Sequence, residues 1–135
     1  MQRGLLLDWL PEALQLRATF RQPATDEPFY LLGEFANYRA HPPGWEFWDA
    51  EWATRRAPNA YPKSNGGPYG SVFHTNRIVC AHFNRFAYAT ESALHPDWVD
   101  LAQWITVAPG TVRAITVGDM LAVFHRDIQC SSGRM

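Results

Sequence analysis

The run Ser71-Val72-Phe73-His74-Thr75-Asn76-Arg77-Ile78-Val79-Cys80-Ala81-His82-Phe83 holds the residue types that acyl chemistry at sulfur needs. A cysteine attacks as the thiolate, and cationic or polar neighbours favour that form. A developing oxyanion needs a donor, and an Asn amide can supply one. His74, Asn76, Arg77 and His82 bring these functions within a few residues of Cys80. The plain alternative is that Cys80 packs as a small hydrophobe, as most buried cysteines do. Asn76 as oxyanion donor competes with a hydrogen bond inside its own turn. His82 shares the face of Cys80 if the segment is a strand. There it could lower the thiol pKa or deprotonate an incoming amine. His74 is better suited to bracing the loop than to moving protons.

Other chemistries have less to stand on. Cys80, His82, His95 and His74 are donors of the kind zinc accepts, which leaves a small Cys/His zinc domain as an alternative. Their spacing matches no common zinc motif, so no metal site is assigned. A cysteine protease would need a distant His and an orienting group, and nothing in the chain singles these out. No cofactor is expected, because Gly66-Gly67-Pro68-Tyr69-Gly70 lacks the Lys-Ser/Thr of a phosphate-binding loop. Two cysteines do not make a disulfide framework. Cys130 sits in the small polar stretch 129–135, which is expected to be a flexible tail.

The elements that must position the thiol can be read in order. Residues 5–14 suggest a short helix or turn interrupted by Pro11. Leu14, Leu16, Ala18 and Phe20 alternate with polar residues, the pattern of a half-buried strand. After the turn-rich stretch 22–28, residues 29–38 read as a second strand. Pro42, Pro43 and Gly44 break it, and 45–48 form a third strand candidate. Such closely spaced runs predict an antiparallel meander. Residues 57–70 read as a long loop. Short extended segments at 72–73 and 78–80 flank the His-x-Asn turn. His95-Pro96-Asp97 reads as a turn leading into a short helix or irregular segment. Val117, Met120, Leu121, Phe124 and Ile128 line one helical face, with Thr116 as cap and Asp119 as its capping-box partner.

At 135 residues one α+β domain over 1–128 is expected, with the meander packed on a C-terminal helix. A net charge of -1 gives no electrostatic reason to expect nucleic acid. No apolar run approaches the roughly 20 residues that span a bilayer, so no membrane association is expected. The default expectation is a cytoplasmic protein with reduced thiols. Six Trp and many Phe and Tyr supply aromatic mass for a core, with some left for a binding surface.

In this order the chain resembles the ubiquitin-conjugating enzyme superfamily. Tyr61-Pro62 resembles the Tyr-Pro that opens the long loop after the third strand. His74-Thr75-Asn76 resembles the His-Pro-Asn triplet, and Val79-Cys80 the active-site cysteine after its apolar residue. Trp98 or Trp104 resembles the downstream tryptophan, and the stretch from Thr116 the helix after the active site. Thr75 replaces the triplet's proline, and three residues separate Asn76 from Cys80, fewer than in eukaryotic members. Together with the unusual stretch 81–97, these differences resemble divergent bacterial branches. The resemblance implies that Cys80 accepts a ubiquitin-like protein from an activating enzyme as a thioester and passes it to a target protein. It places His95 and Asp97 where gating residues fall. A relative that only binds a ubiquitin-like partner, without catalysis, is the alternative within the same fold.

Overall fold

A computed structural model describes residues 5–64, 71–74, 76–90, 95–109 and 112–135, without the side chains of 89 and 90. Thr75, Leu94 and the glycine-rich part of the long loop, 65–70, lie outside the described residues. The architecture is α+β. A four-stranded antiparallel sheet, β1 (Leu5–Leu10), β2 (Gln15–Arg21), β3 (Pro28–Glu34) and β4 (Gly44–Trp48), runs in the order β1-β2-β3-β4. A small hairpin follows, β5 (Phe73–His74) and β6 (Ile78–Val79). Then come a short helix α1 (Arg85–Thr90), a 3-10 turn at Leu101–Gln103, and the long helix α2 (Val117–Cys130). Among the described residues no helix is long and apolar enough to cross a membrane.

The alternation read in the sequence sets the register of β2. Leu16, Ala18 and Phe20 are buried while Gln15, Arg17 and Thr19 are half-exposed. A one-residue slip would turn that apolar set to solvent, so the pairing is strongly specified. Residues 5–14 form no helix. Leu5–Leu10 is a strand paired along β2, from Leu5↔Phe20 to Leu10↔Gln15. Pro11 stops a helix after six residues, too few to hold one in isolation, whereas the open edge of β2 offers a full ladder. The second expected strand also ends earlier. It closes at Glu34, and Phe35 and Tyr38 form a turn in which the Tyr38 N–H bonds the Phe35 carbonyl at 3.1 Å.

Helix α2 crosses the inner face of the sheet. Thr116 caps it by accepting the Asp119 N–H. Phe124 is the centre of the core, 5.1 Å from Trp45, 5.7 Å from Phe83 and 6.5 Å from both Phe20 and Phe73, ring to ring. Truncating such a buried ring costs about 3–5 kcal/mol. One glycine matters for packing near the thiol. A Cβ on Gly44 would stand 2.5 Å from the Phe86 ring and 2.9 Å from the Arg85 guanidinium, so a larger residue there would push these α1 side chains aside.

The C-terminal residues, expected to form a flexible tail, are tied to the body. Gln129 and Cys130 belong to α2. Beyond them the Ser131 hydroxyl donates to the Lys63 carbonyl, and the Met135 N–H bonds Tyr61. Arg134 bonds Glu27 and the carbonyls of Pro28 and Asn59. Backbone pairing with 61–63 decides this, and composition could not reveal it.

Candidate functional site around Cys80

Cys80 follows β6 and is 4% exposed. Its N–H bonds the Val72 carbonyl at 2.7 Å, which extends the hairpin by one rung. The Val72 N–H in turn donates to Oδ2 of Asp127 on α2 at 3.0 Å. Asp127 is 1% exposed, and its other oxygen is held by Arg126 at 2.7 Å. The backbone at Cys80 is therefore connected to the long helix through one buried carboxylate.

The other end of the hairpin carries His74 and Asn76. The Arg77 N–H bonds the His74 carbonyl at 3.2 Å, and Arg77 has φ 58°. The positive φ at Arg77 places a left-handed residue just before β6, a common feature where two strands are joined. Arg56 clamps this turn from outside. Its Nε donates to the Arg77 carbonyl and its terminal nitrogen to the Asn76 carbonyl, both at 3.1 Å. Arg77 returns a bond to the Arg56 carbonyl at 3.0 Å. His74 is half-buried in β5 and Asn76 is exposed at the turn, with β6 standing between them and the thiol.

His82 does not lie on a strand with Cys80. The chain turns immediately after the cysteine, with the Asn84 N–H bonding the Ala81 carbonyl at 3.0 Å. The His82 side chain is fully buried and stacked on Trp104, with 6.0 Å between ring centres. Nε2 accepts the Ala114 N–H at 2.9 Å. Nδ1 therefore carries the proton and donates to the Trp104 carbonyl at 3.0 Å. Burial pushes the His82 pKa below its ordinary value, and the charge of Arg113 adds to this. A neutral imidazole bonded at both nitrogens braces the segment after the thiol. Taking a proton would require release of Ala114.

His95 joins His82 through aromatic rings, and Asp97 reaches the same network through Ala108, whose carbonyl accepts the Trp98 indole N–H at 2.7 Å. The His95 carbonyl accepts the Trp98 N–H at 2.8 Å, closing the expected turn, and its ring stacks on Trp98 at 3.8 Å. Asp97 accepts the Ala108 N–H at 3.1 Å. Tyr88 stacks on Trp98 and donates its hydroxyl to the His82 carbonyl at 2.7 Å. Burial and the negative charge of Asp97 raise the Tyr88 pKa. His82, His95 and Asp97 thus belong to one network, while His74 and Asn76 belong to the Arg56-clamped turn. Cys80 lies where the two meet in the chain. Among the described residues, no three of His, Cys, Asp and Glu are placed to hold a metal ion.

Three residues that no sequence motif assigns to the site hold central positions: Asn84, Arg56 and Asp127. Asn84 is fully buried. Its Nδ2 donates to the Val79 carbonyl at 2.8 Å, and its Oδ1 accepts the N–H groups of Trp45 and Phe86. It caps α1 and pins both β4 and the residue before the thiol. Asn before a helix is a readable cap signal, so α1 could have been anticipated. The contacts of Arg56 and Asp127 span 20–21 and 55 residues, and no local pattern announces them.

Comparison with protein-family models, with curated proteins and with solved structures finds no match for this chain.

Proposed function

We propose that the protein is a ubiquitin-conjugating-like acyl carrier with Cys80 as its acceptor thiol. The observation that supports this best is positional. A four-stranded antiparallel meander leads to a hairpin whose turn holds His74 and Asn76, and Cys80 stands at the hairpin's end. In the proposed reaction the Cys80 thiolate attacks the thioester carbonyl of an activating enzyme loaded with a ubiquitin-like protein. The tetrahedral oxyanion collapses and expels the enzyme's thiolate. An amine of a target protein then attacks the new thioester, forming an amide and releasing the Cys80 thiolate, while the amine's proton passes to a base or solvent. Asn76 is the proposed oxyanion donor, and His74 braces its turn. His95 and Asp97 flank the approach through the Trp98 network. Because Cys80 is 4% exposed, loading requires residues over the sulfur to move aside.

That same burial favours one second reading, a module that binds a ubiquitin-like protein without carrying it. The two separate in one experiment. The protein is mixed with ATP, a cognate activating enzyme and its ubiquitin-like substrate, and resolved without reductant. The carrier reading expects an adduct that thiol removes, that becomes reductant-stable or disappears in Cys80→Ser, and that persists in Cys130→Ser. Binding without an adduct supports the second reading. An adduct carried by Cys130 overturns the assignment of the thiol.

A further inference from the structure

A groove of about 500 Å³ opens beside the hairpin that carries the thiol, lined by Glu46, Arg55, Arg56, Ile78, Arg85, Phe86, Tyr88, Val99 and Leu101. Three arginines and one carboxylate are among these lining residues, and two of the arginines are paired. Glu46, 5% exposed, is bonded by Arg55, and Glu34 lies outside the groove at 2.7 Å from Arg85. Arg56 donates to the carbonyls of Asn76 and Arg77, which carry no formal charge, and among the described residues no carboxylate is paired with it. Arg55 and Arg85 both lie over the Phe86 ring, at 5.7 and 5.0 Å. The rim is apolar, and Val99 is 70% exposed. A cationic wall and an apolar lip together suit a ligand with the opposite charge and a side chain for the lip.

We propose that this groove binds an acidic, extended peptide segment bearing apolar residues, and that such a segment in the target protein directs its amine to Cys80. The second half of this statement rests on the carrier reading above. The first half does not. A peptide is favoured over nucleic acid because the lip is Val99 and Leu101 and the whole chain has a net charge of -1. Ile78 and Tyr88 connect the groove to the site. Ile78 is two residues before the thiol, and Tyr88 bonds the His82 carbonyl. A bound segment would therefore lie along the hairpin next to Cys80.

The test uses the full chain as Cys80→Ala, which removes thioester chemistry from the measurement. A fluorescein-labelled decapeptide of alternating Asp and Leu is titrated by anisotropy, beside a Lys-Leu decapeptide and a labelled single-stranded oligonucleotide. The Asp-Leu peptide is expected to bind, more weakly as salt rises. Arg55→Glu and Val99→Asp are each expected to weaken it by about tenfold or more, the scale of one lost charged or apolar anchor. Val99 is 70% exposed, so Val99→Asp should keep the wild-type circular dichroism and melting curve. Arg55→Glu strips buried Glu46 of its partner and should melt earlier, so its affinity is read at a temperature where its circular dichroism matches wild type. Equal binding of the acidic and basic peptides, preference for the oligonucleotide, or unchanged affinity in both variants overturns the groove assignment. Failure of wild-type protein to form the Cys80 adduct overturns the carrier reading and leaves this binding result standing.

Discussion

Asp127, on the C-terminal helix, accepts the Val72 N–H at 3.0 Å. Through the Val72 carbonyl, which receives the Cys80 N–H, this bond ties the helix to the backbone at the thiol. Asp127→Ala would leave a buried N–H without an acceptor. The expected loss is about 1–3 kcal/mol. Asp127→Asn keeps one acceptor oxygen and should lose less. Urea unfolding measures both, and a midpoint shift with an unchanged slope reports stability alone. Wild-type stability in Asp127→Ala would show that the bond does not matter.

The two cysteines should differ in reactivity. Cys130 is exposed at the end of α2, while Cys80 is buried. A thiol reagent should modify Cys130 first and Cys80 about tenfold more slowly or worse, because Cys80 reacts through local opening. Cys130→Ser should remove the fast phase, and Asp127→Ala should accelerate the slow one. Two equal phases in wild-type protein would contradict the burial of Cys80.

His82 makes stability depend on pH in a defined direction. Its folded pKa is lowered, chiefly by burial, whereas an unfolded histidine titrates near pH ~6.5. Below that value the unfolded chain takes up a proton that the folded chain resists. The contribution is therefore complete above about pH 6.5 and declines as pH falls through it toward the folded value. Melting temperatures recorded between about pH 5 and 8 should slope downward on the acid side. His82→Ala should be less stable and show a flatter profile. A slope as steep as wild type in His82→Ala would assign the pH dependence to another group.

Asn76 and Asn84 should separate chemistry from scaffold. If the Asn76 amide serves the oxyanion, Asn76→Ala should slow single-turnover discharge of preloaded protein by about 10²–10³-fold. Its melting temperature should barely change, because the side chain is exposed. Asn84→Ala removes bonds to Val79, Trp45 and Phe86 and should cost roughly 1–3 kcal/mol. Discharge by Asn76→Ala at the wild-type rate would leave Asn76 as a turn residue alone.

By itself, the sequence determined the parts governed by local rules. The alternation of Leu16, Ala18 and Phe20 set the face of β2, and Thr116 with the apolar stripe of α2 set that helix and its start. The short apolar segments on either side of His74 and Asn76 were readable as extended chain, and the structure pairs them as a hairpin. Tertiary structure decided the rest, because the deciding interactions are long-range. Residues 5–10 became a strand because β2 offered an edge, a gain invisible in a six-residue window. His82 left the face of Cys80 because the chain turned at Ala81, and Trp104 and Ala114, 22 and 32 residues away, then took both of its nitrogens. The last residues were held by partners 68 and 107 positions back. Residue types could nominate the thiol and its neighbours, but which of them keep a nitrogen or an amide available is settled only when buried polar groups find their partners in three dimensions.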